Sequence, residues 1–322
     1  MTISSFYKVL RANDWWNNII PPILGFFALG QLSAEQDYTI LFAYGVVFLL
    51  MILIAVFGFF IGEWSDIKDD QIVGKSNLLA NRSLGFKTGM ACFTLAGIGI
   101  LTHLLNVDIS VKLLVVLQLL CFLLYSIPPF RLKRNKYASL ILDSLYSGTI
   151  MYVMVMALGS NCSYLMLGLL FLWGILRGQR NYILHTLNDA ENDNQIGIKS
   201  IGNTYQYIQI IKIQNSILFP LEIISLLAFL YLVEMPYNLI LMASYLLIIG
   251  YSFYHRSISE KMGSYGHLSN INLFHEMLFP LVVLVLLTLE QIFWIIPLLL
   301  LMSLFTQYKQ WGWAIIKKIG GN

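Results

Sequence analysis

The sequence predicts an all-α fold: a polytopic membrane helix bundle of nine to ten transmembrane helices, forming one domain over residues 1–322. Three observations carry that prediction. Of 322 residues, 58% are hydrophobic and only 11% are charged, whereas a soluble domain carries about a quarter charged residues. The apolar residues fall into runs near 15–32, 38–62, 86–106, 109–127, 138–158, 164–187, 206–231, 236–254, 272–289 and 291–308. Most of these approach the roughly 20 residues a spanning helix needs, and the last two are shorter. The basic residues fall mostly between the runs, in alternate connections. A net charge of +3 is too small to argue for nucleic acid. Cys92, Cys121 and Cys162 form no CxxC and no metal-ligand spacing.

The first run follows a mixed, polar start, MTISSFYKVLRANDWW, in which no cleavable signal peptide is expected. Lys8 and Arg11 precede it. Lys68, Lys75, Arg82 and Lys87 lie between runs two and three, and Arg131, Lys133, Arg134 and Lys136 follow run four. Lys199 follows run six, and Arg256 and Lys261 follow run eight. The opposite connections, at Ser33–Asp37, Asn106–Asp108, Gly159–Ser163 and Glu234, are almost without positive charge. The positive-inside bias therefore places the N-terminus and the charged connections on the cytoplasmic side of a cytoplasmic membrane. Lys309, Lys317 and Lys318 favour an even number of spans. Ten fits the charge, and nine plus an interfacial tail is the alternative.

Run two ends in Gly62-Glu-Trp-Ser-Asp-Ile-Lys-Asp-Asp-Gln-Ile-Val-Gly-Lys75. If the helix continues, Glu63, Asp66 and Asp70 stand at i, i+3 and i+7, within an arc of roughly 60°. Carboxylates crowded on one face beside hydrocarbon repel one another unless a cation sits among them, and a divalent metal is the simplest remedy. Solvated loop acids are the plainer reading of this stretch taken alone.

Run four ends in Leu124-Tyr-Ser-Ile-Pro-Pro-Phe-Arg-Leu-Lys-Arg134, where Pro128 and Pro129 stop the helix. The basic cluster behind them either anchors at anionic lipid headgroups or lines a mouth that attracts an anionic substrate. Asp143 and Tyr146 follow inside run five. An acid there is either functional or satisfied by a hydroxyl or cation.

Run six carries a second acidic stretch, from Arg177 through Asp193, followed by Gly197-Ile-Lys-Ser200. His185, Asp189 and Asp193 are spaced i, i+4 and i+8 and share one helix face. Arg180 lies deeper, as a cation for substrate or as the partner of one of these acids. Two acid faces thus stand at the same ends of runs two and six, each trailed by a lysine, Lys75 or Lys199. Magnesium commonly bridges one or two carboxylates to substrate phosphates. Opposed faces of this kind suit a diphosphate, with Lys and Arg on its remaining oxygens, and the apolar bundle behind them suits an isoprenoid tail.

Taken together, these strings resemble the UbiA-type intramembrane prenyltransferases over residues 11 to 290. Gly62-Glu63-x-x-Asp66-x-x-x-Asp70 is similar to that family's Asn-Asp-x-x-Asp-x-x-x-Asp motif, with Gly-Glu in place of Asn-Asp. Asp189-Ala-Glu-Asn-Asp193 with Gly197-Ile-Lys199-Ser200 is similar to its second motif, and His185 stands one position from where a further Asp often opens it. Tyr125-Ser-x-Pro-Pro-x-Arg-Leu-Lys133 resembles the loop after helix four, and Arg11, Trp15 and Pro21 resemble the start of helix one. The resemblance implies a bundle around a central cavity open toward the membrane, and Mg2+-dependent transfer of a prenyl group from a prenyl diphosphate to an acceptor. On that reading Asp66, Asp70, Asp189 and Asp193 bind the metal with Glu63 assisting. Lys75, Arg131 and Lys199 hold the diphosphate. Tyr125, Tyr146 and Tyr182 offer aromatic faces to an allylic cation, and Asp143 and Arg180 face substrate. His185 is expected to take the acceptor's proton, with Asp143 next in line.

Three alternatives stay open at the level of sequence: a cyclase of the same fold acting without an acceptor, a cation-coupled transporter, and an inactive lipid-binding relative. Transporters place such acids nearer the bilayer midplane, whereas these lie at helix ends.

Overall fold

The computed structural model describes residues 12–32, 38–159, 162–259, 271–305 and 308. The expectations placed on Lys8, Arg11, the Ser33–Asp37 connection, Lys261, Lys309, Lys317 and Lys318 lie outside the described residues, as does the side chain of Arg256.

Each apolar run forms a helix. In chain order these are α1 (Ile20–Gly30), α2 (Tyr38–Ile72), α3 (Leu84–Leu104), α4 (Ile109–Ser126) and α5 (Lys136–Met156). They are followed by α6 (Tyr164–Asn188), α7 (Tyr207–Tyr231), α8 (Tyr237–Ser259), α9 (Phe279–Glu290) and α10 (Ile295–Leu304). Among the described residues, α2 through α5 and α7 are long and apolar enough to cross a membrane, while α1, α10 and the Tyr237–Ser252 part of α8 are shorter apolar helices. The first run yields a shorter helix than its length implies. A turn spans Trp16–Ile19, and Pro21 and Pro22 occupy the opening positions of α1, where a missing N–H is harmless.

Every residue of α1 is buried. A helix that is apolar on all sides belongs in the centre of a bundle, and α1 packs against α2, α5 and α9. By contrast, only 17% of the apolar window of α3 is buried. Phe93 and Ile100 stand exposed on it, as befits a helix facing lipid.

Two local features position the site. Gly174 and Gly178 let α6 close upon α5: a Cβ at Gly178 would lie 2.6 Å from Ser144 Cα, and one at Gly174 would lie 2.7 Å from Thr149 Oγ1. Opposite them, α5 opens into a wide turn over Leu145–Thr149, with Gly148 at φ 149°. The Tyr146 carbonyl accepts from Gln118 Nε2 of α4 at 2.9 Å. Helices α4, α5 and α6 are thereby held around Tyr146.

Candidate active site

Helix α2 does continue past its apolar run, to Ile72, so the first acidic stretch is helical throughout. It ends at Gly74 (φ 70°), where Lys75 N donates to Asp70 O at 2.9 Å. The second stretch ends in the same way. After α6, Asp189 leads into a short helix, Ala190–Gln195, and Gly197 (φ 69°) turns the chain so that Ile198 N donates to Asp193 O at 2.9 Å. Glycine tolerates this left-handed turn with no steric penalty.

These two ends face one another across a cavity of about 170 Å³. Asp66, Asp69 and Asp70 line it from α2, and Asp189 and Asp193 line it from the second stretch. Lys75, Lys133, Tyr125, Tyr182, His185, Thr186, Asn192 and Ser200 complete the polar lining. Lys75 Nζ lies 3.8 Å from Asp189 Oδ1, bridging the two stretches. Lys133 Nζ bonds Asp66 Oδ1. Burial pushes the Asp193 carboxyl above the usual carboxylate range, and neighbouring Asp189 adds to that rise, while Ser200, His185 and Lys75 oppose it.

A second cavity of about 340 Å³ adjoins the first. Asp66, Tyr125 and His185 line both, so they form the boundary between a charged mouth and an inner chamber. The chamber is walled by Ala55, Gly58, Phe59 and Gly62 of α2, Phe122 of α4, and Asp143, Tyr146 and Met151 of α5. Tyr146 OH donates to Asp143 Oδ2 at 2.7 Å, and its ring meets those of Phe122 and Tyr125 at 5.0 and 5.1 Å. His185 Nε2 lies 3.4 Å from Asp189 Oδ2, which orients the imidazole between mouth and chamber.

Several expected site residues stand elsewhere. Glu63 lines neither cavity: its Oε1 accepts from Leu78 N at 3.3 Å, beneath the connection that follows α2. Arg131 also lies behind the wall. Its Nη2 donates to Ser65 O at 2.9 Å and to Asp69 Oδ2 at 2.8 Å, and lies 3.5 Å from Asp66 Oδ1. Lys199 is exposed and does not line the mouth. Arg180 is fully buried on another face of α6, away from both cavities. Its partner is Glu222 of α7, through Nε–Oε2 at 2.7 Å and Nη2–Oε1 at 3.0 Å, with Asn272 Oδ1 accepting from Nη2 at 2.7 Å. That pairing replaces both sequence expectations for Arg180, a substrate contact or a bridge to the acids of its own helix.

Sequence reasoning passed over Asp69 and Lys133 as site residues. Asp69 lies off the arc of Glu63, Asp66 and Asp70, but α2 is rotated so that this flank looks into the mouth. The basic loop then closes on it, with Arg134 Nη2 at 3.2 Å and Lys133 Nζ at 3.7 Å from its carboxylate. Lys133 was legible only as a member of a basic cluster. The left-handed turn at Arg131 (φ 38°) separates its direction from that of Arg131.

Among the described residues no three His, Cys, Asp or Glu side chains converge as a ready-made metal cage. Magnesium does not require one, since it keeps several waters and takes only one or two carboxylates alongside phosphate oxygens. Carboxylates from two helices across a space of about 170 Å³ meet that requirement.

Neither a protein-family model nor any curated protein sequence matches the chain. Solved structures do. A UbiA homologue from Archaeoglobus fulgidus bound to DMAPP and Mg2+ is 14% identical with a TM-score of 0.68, over 88% of this chain and 99% of that one. The same homologue bound to GPP and Mg2+ gives 16% and 0.67 over the same shares. A digeranylgeranylglyceryl phosphate synthase is 20% identical with a TM-score of 0.60, over 88% of this chain and 96% of that one. The helix bundle that carries these two stretches is thus of a known architecture: the protein has the fold of the UbiA-type intramembrane prenyltransferases.

Proposed function

We propose that this protein transfers a prenyl group from a prenyl diphosphate to an acceptor within the membrane, with Mg2+ as cofactor. The observation that carries the reading is the sharing of Asp66, Tyr125 and His185 by a charged mouth and an inner chamber. A molecule with a polyanionic head and an apolar tail spans that boundary with its C–O bond beside those three residues. The two prenyl diphosphates bound in the A. fulgidus homologue have this build.

Asp66, Asp70, Asp189 and Asp193 would hold the metal. When bound, Mg2+ offsets the charge of the diphosphate and of the oxygen that departs with it. Lys75 and Lys133, both lining the mouth, neutralise the remaining diphosphate oxygens. Arg131 and Arg134 act one layer back, fixing Asp69. Departure of diphosphate leaves an allylic cation, against which Tyr125 and Tyr146 present their faces. His185 stands at the same boundary and can accept the proton that the acceptor loses, its other flank steadied by Asp189. The mouth faces the cytoplasm on the charge-bias argument.

The test is turnover of radiolabelled prenyl diphosphates by the purified protein in lipid, with a lipid extract as acceptor source. Label should pass to an extractable product and inorganic diphosphate should be released, both only with Mg2+. Ion flux without turnover would establish a transporter, and binding without turnover an inactive relative.

A further inference from the structure

The charged groups around the two cavities are sorted by sign. Lys75 and Lys133 line the mouth together with acids of both stretches. The inner chamber is lined by two carboxylates, Asp66 and Asp143, and by His185, and among the described residues no lysine or arginine lines it. The arginines close by are engaged elsewhere. Arg131 and Arg134 donate to Asp69, and Arg180 to Glu222 and Asn272. Arg177 Nε donates to His275 Nε2 at 2.5 Å. An anion entering the chamber would meet two like charges and no fixed cation, an arrangement that burial strongly disfavours.

The acid within the chamber is only half engaged. Asp143 Oδ2 accepts from Tyr146 OH at 2.7 Å, whereas Oδ1 has no hydrogen-bond partner among the described residues. The carboxylate is held in place, because Tyr146 is itself fixed. Gln118 Nε2 donates to its carbonyl, and the rings of Phe122 and Tyr125 flank its own. Tyr125 belongs to the boundary between mouth and chamber, so Asp143 stands one side chain away from that boundary. Ser126 and Ser147 add hydroxyl groups to the same lining. A desolvated carboxylate oxygen calls for a hydrogen-bond donor. An ionised, metal-bound diphosphate has no proton to offer, and a prenyl chain has no polar hydrogen. The donor must come from the second substrate.

We propose that the acceptor is an uncharged molecule bearing a hydroxyl group, which enters the inner chamber and donates to Asp143 Oδ1, and that acceptors carrying a carboxylate or phosphate are refused. The assignment rests on the prenyl-transfer reading above and names the class of its second substrate. Asp143 is then the group that recognises the acceptor, and Tyr146 the residue that positions Asp143. A site built to pair with a hydroxyl discriminates strongly against an analogue that lacks it, because its own polar atom is left without a partner.

The experiment is equilibrium binding at neutral pH to the purified protein in lipid nanodiscs, with empty nanodiscs as the correction for partition into lipid. Three tritiated probes share one skeleton: 4-butylphenol, its methyl ether 4-butylanisole, and the anion 4-butylbenzoate. Each is measured with Mg2+ and a thiolo analogue of geranyl diphosphate that does not ionise, and binding of that analogue is measured separately. The wild type should bind the phenol at least about tenfold more tightly than the ether and at least about tenfold more tightly than the carboxylate. Asp143→Asn keeps an oxygen that accepts but removes the charge. It should hold phenol binding within about fivefold while bringing the carboxylate at least about tenfold closer to the phenol. Equal affinity of the wild type for phenol and ether, or for phenol and carboxylate, would overturn the assignment, and neither comparison depends on a variant folding. So would failure of the phenol to bind while the diphosphate analogue binds. Absence of Mg2+-dependent binding of the analogue would instead overturn the prenyl-transfer reading, and with it the naming of this ligand as an acceptor.

Discussion

The two acidic stretches are close structural counterparts that do different work. In each, residues at i, i+4 and i+8 look into the site: Gly62, Asp66 and Asp70 from the continuous α2, and His185, Asp189 and Asp193 from the second stretch. In the second the helix breaks at Asp189, so the single helix face expected from the spacing is replaced by two segments that still converge. Each ends at a glycine with φ near +70°, and in each the following N–H returns to the last acid's carbonyl. The differences lie at the two ends of the shared frame. At the deep end, Gly62 leaves the chamber open where His185 places an imidazole. At the shallow end, Lys75 follows its glycine directly, whereas Lys199 stands one residue later. That one-residue offset gives the lining position to Ile198 and directs Lys199 to solvent. The backbone is duplicated while the chemistry is divided: one stretch supplies the resident lysine and the entrance to the chamber, the other the imidazole.

If the shared frame reflects shared metal binding, Asp66→Asn and Asp189→Asn should each reduce Mg2+-dependent turnover by at least about 100-fold with the fold retained. The check is steady-state turnover at limiting Mg2+ together with thermal unfolding in detergent. A large loss for one and none for the other would break the equivalence. His185→Gln tests the deep end. It should slow transfer by about tenfold to 100-fold while leaving the affinity for prenyl diphosphate nearly unchanged, since the carboxylates and lysines remain. Loss of diphosphate affinity would make His185 a binding group instead. The shallow end gives the smallest effect. Lys75→Gln should raise the KM for prenyl diphosphate several-fold, about 1 kcal/mol of binding, and Lys199→Gln should leave it within about twofold. Equal effects would mean that the offset between the two glycine turns has no bearing on substrate.

Much of this was legible in the sequence because a bilayer restricts what a chain can do. Ten apolar runs became helices, and two acid-bearing helix ends came together because the runs between them are even in number. What was not legible depended on contacts across the bundle. The rotation of α2 that turns Glu63 toward Leu78 and Asp69 toward the basic loop is set by the 76–79 connection and by residues 131–134. Helical spacing defines an arc of acids but not its azimuth. Glu222 and Asn272 lie 42 and 92 residues from Arg180, and neither falls in a motif. The close packing of Phe122 on Gly58 likewise joins residues 64 positions apart, in helices already rich in apolar side chains.

The Arg180–Glu222–Asn272 knot also bears on how the protein is made. An arginine at the centre of a helix disfavours entry into the bilayer by roughly 2.5–3.5 kcal/mol on insertion scales, and α6 carries Arg177 as well. Its carboxylate partner arrives only with α7, and its amide partner only as α9 begins. During synthesis these contacts of Arg180 can form only after α7 and then the start of α9 have been made. Assembly of the second acidic stretch is thus coupled to completion of the C-terminal half, whereas the first can form as soon as α2 through α4 have emerged.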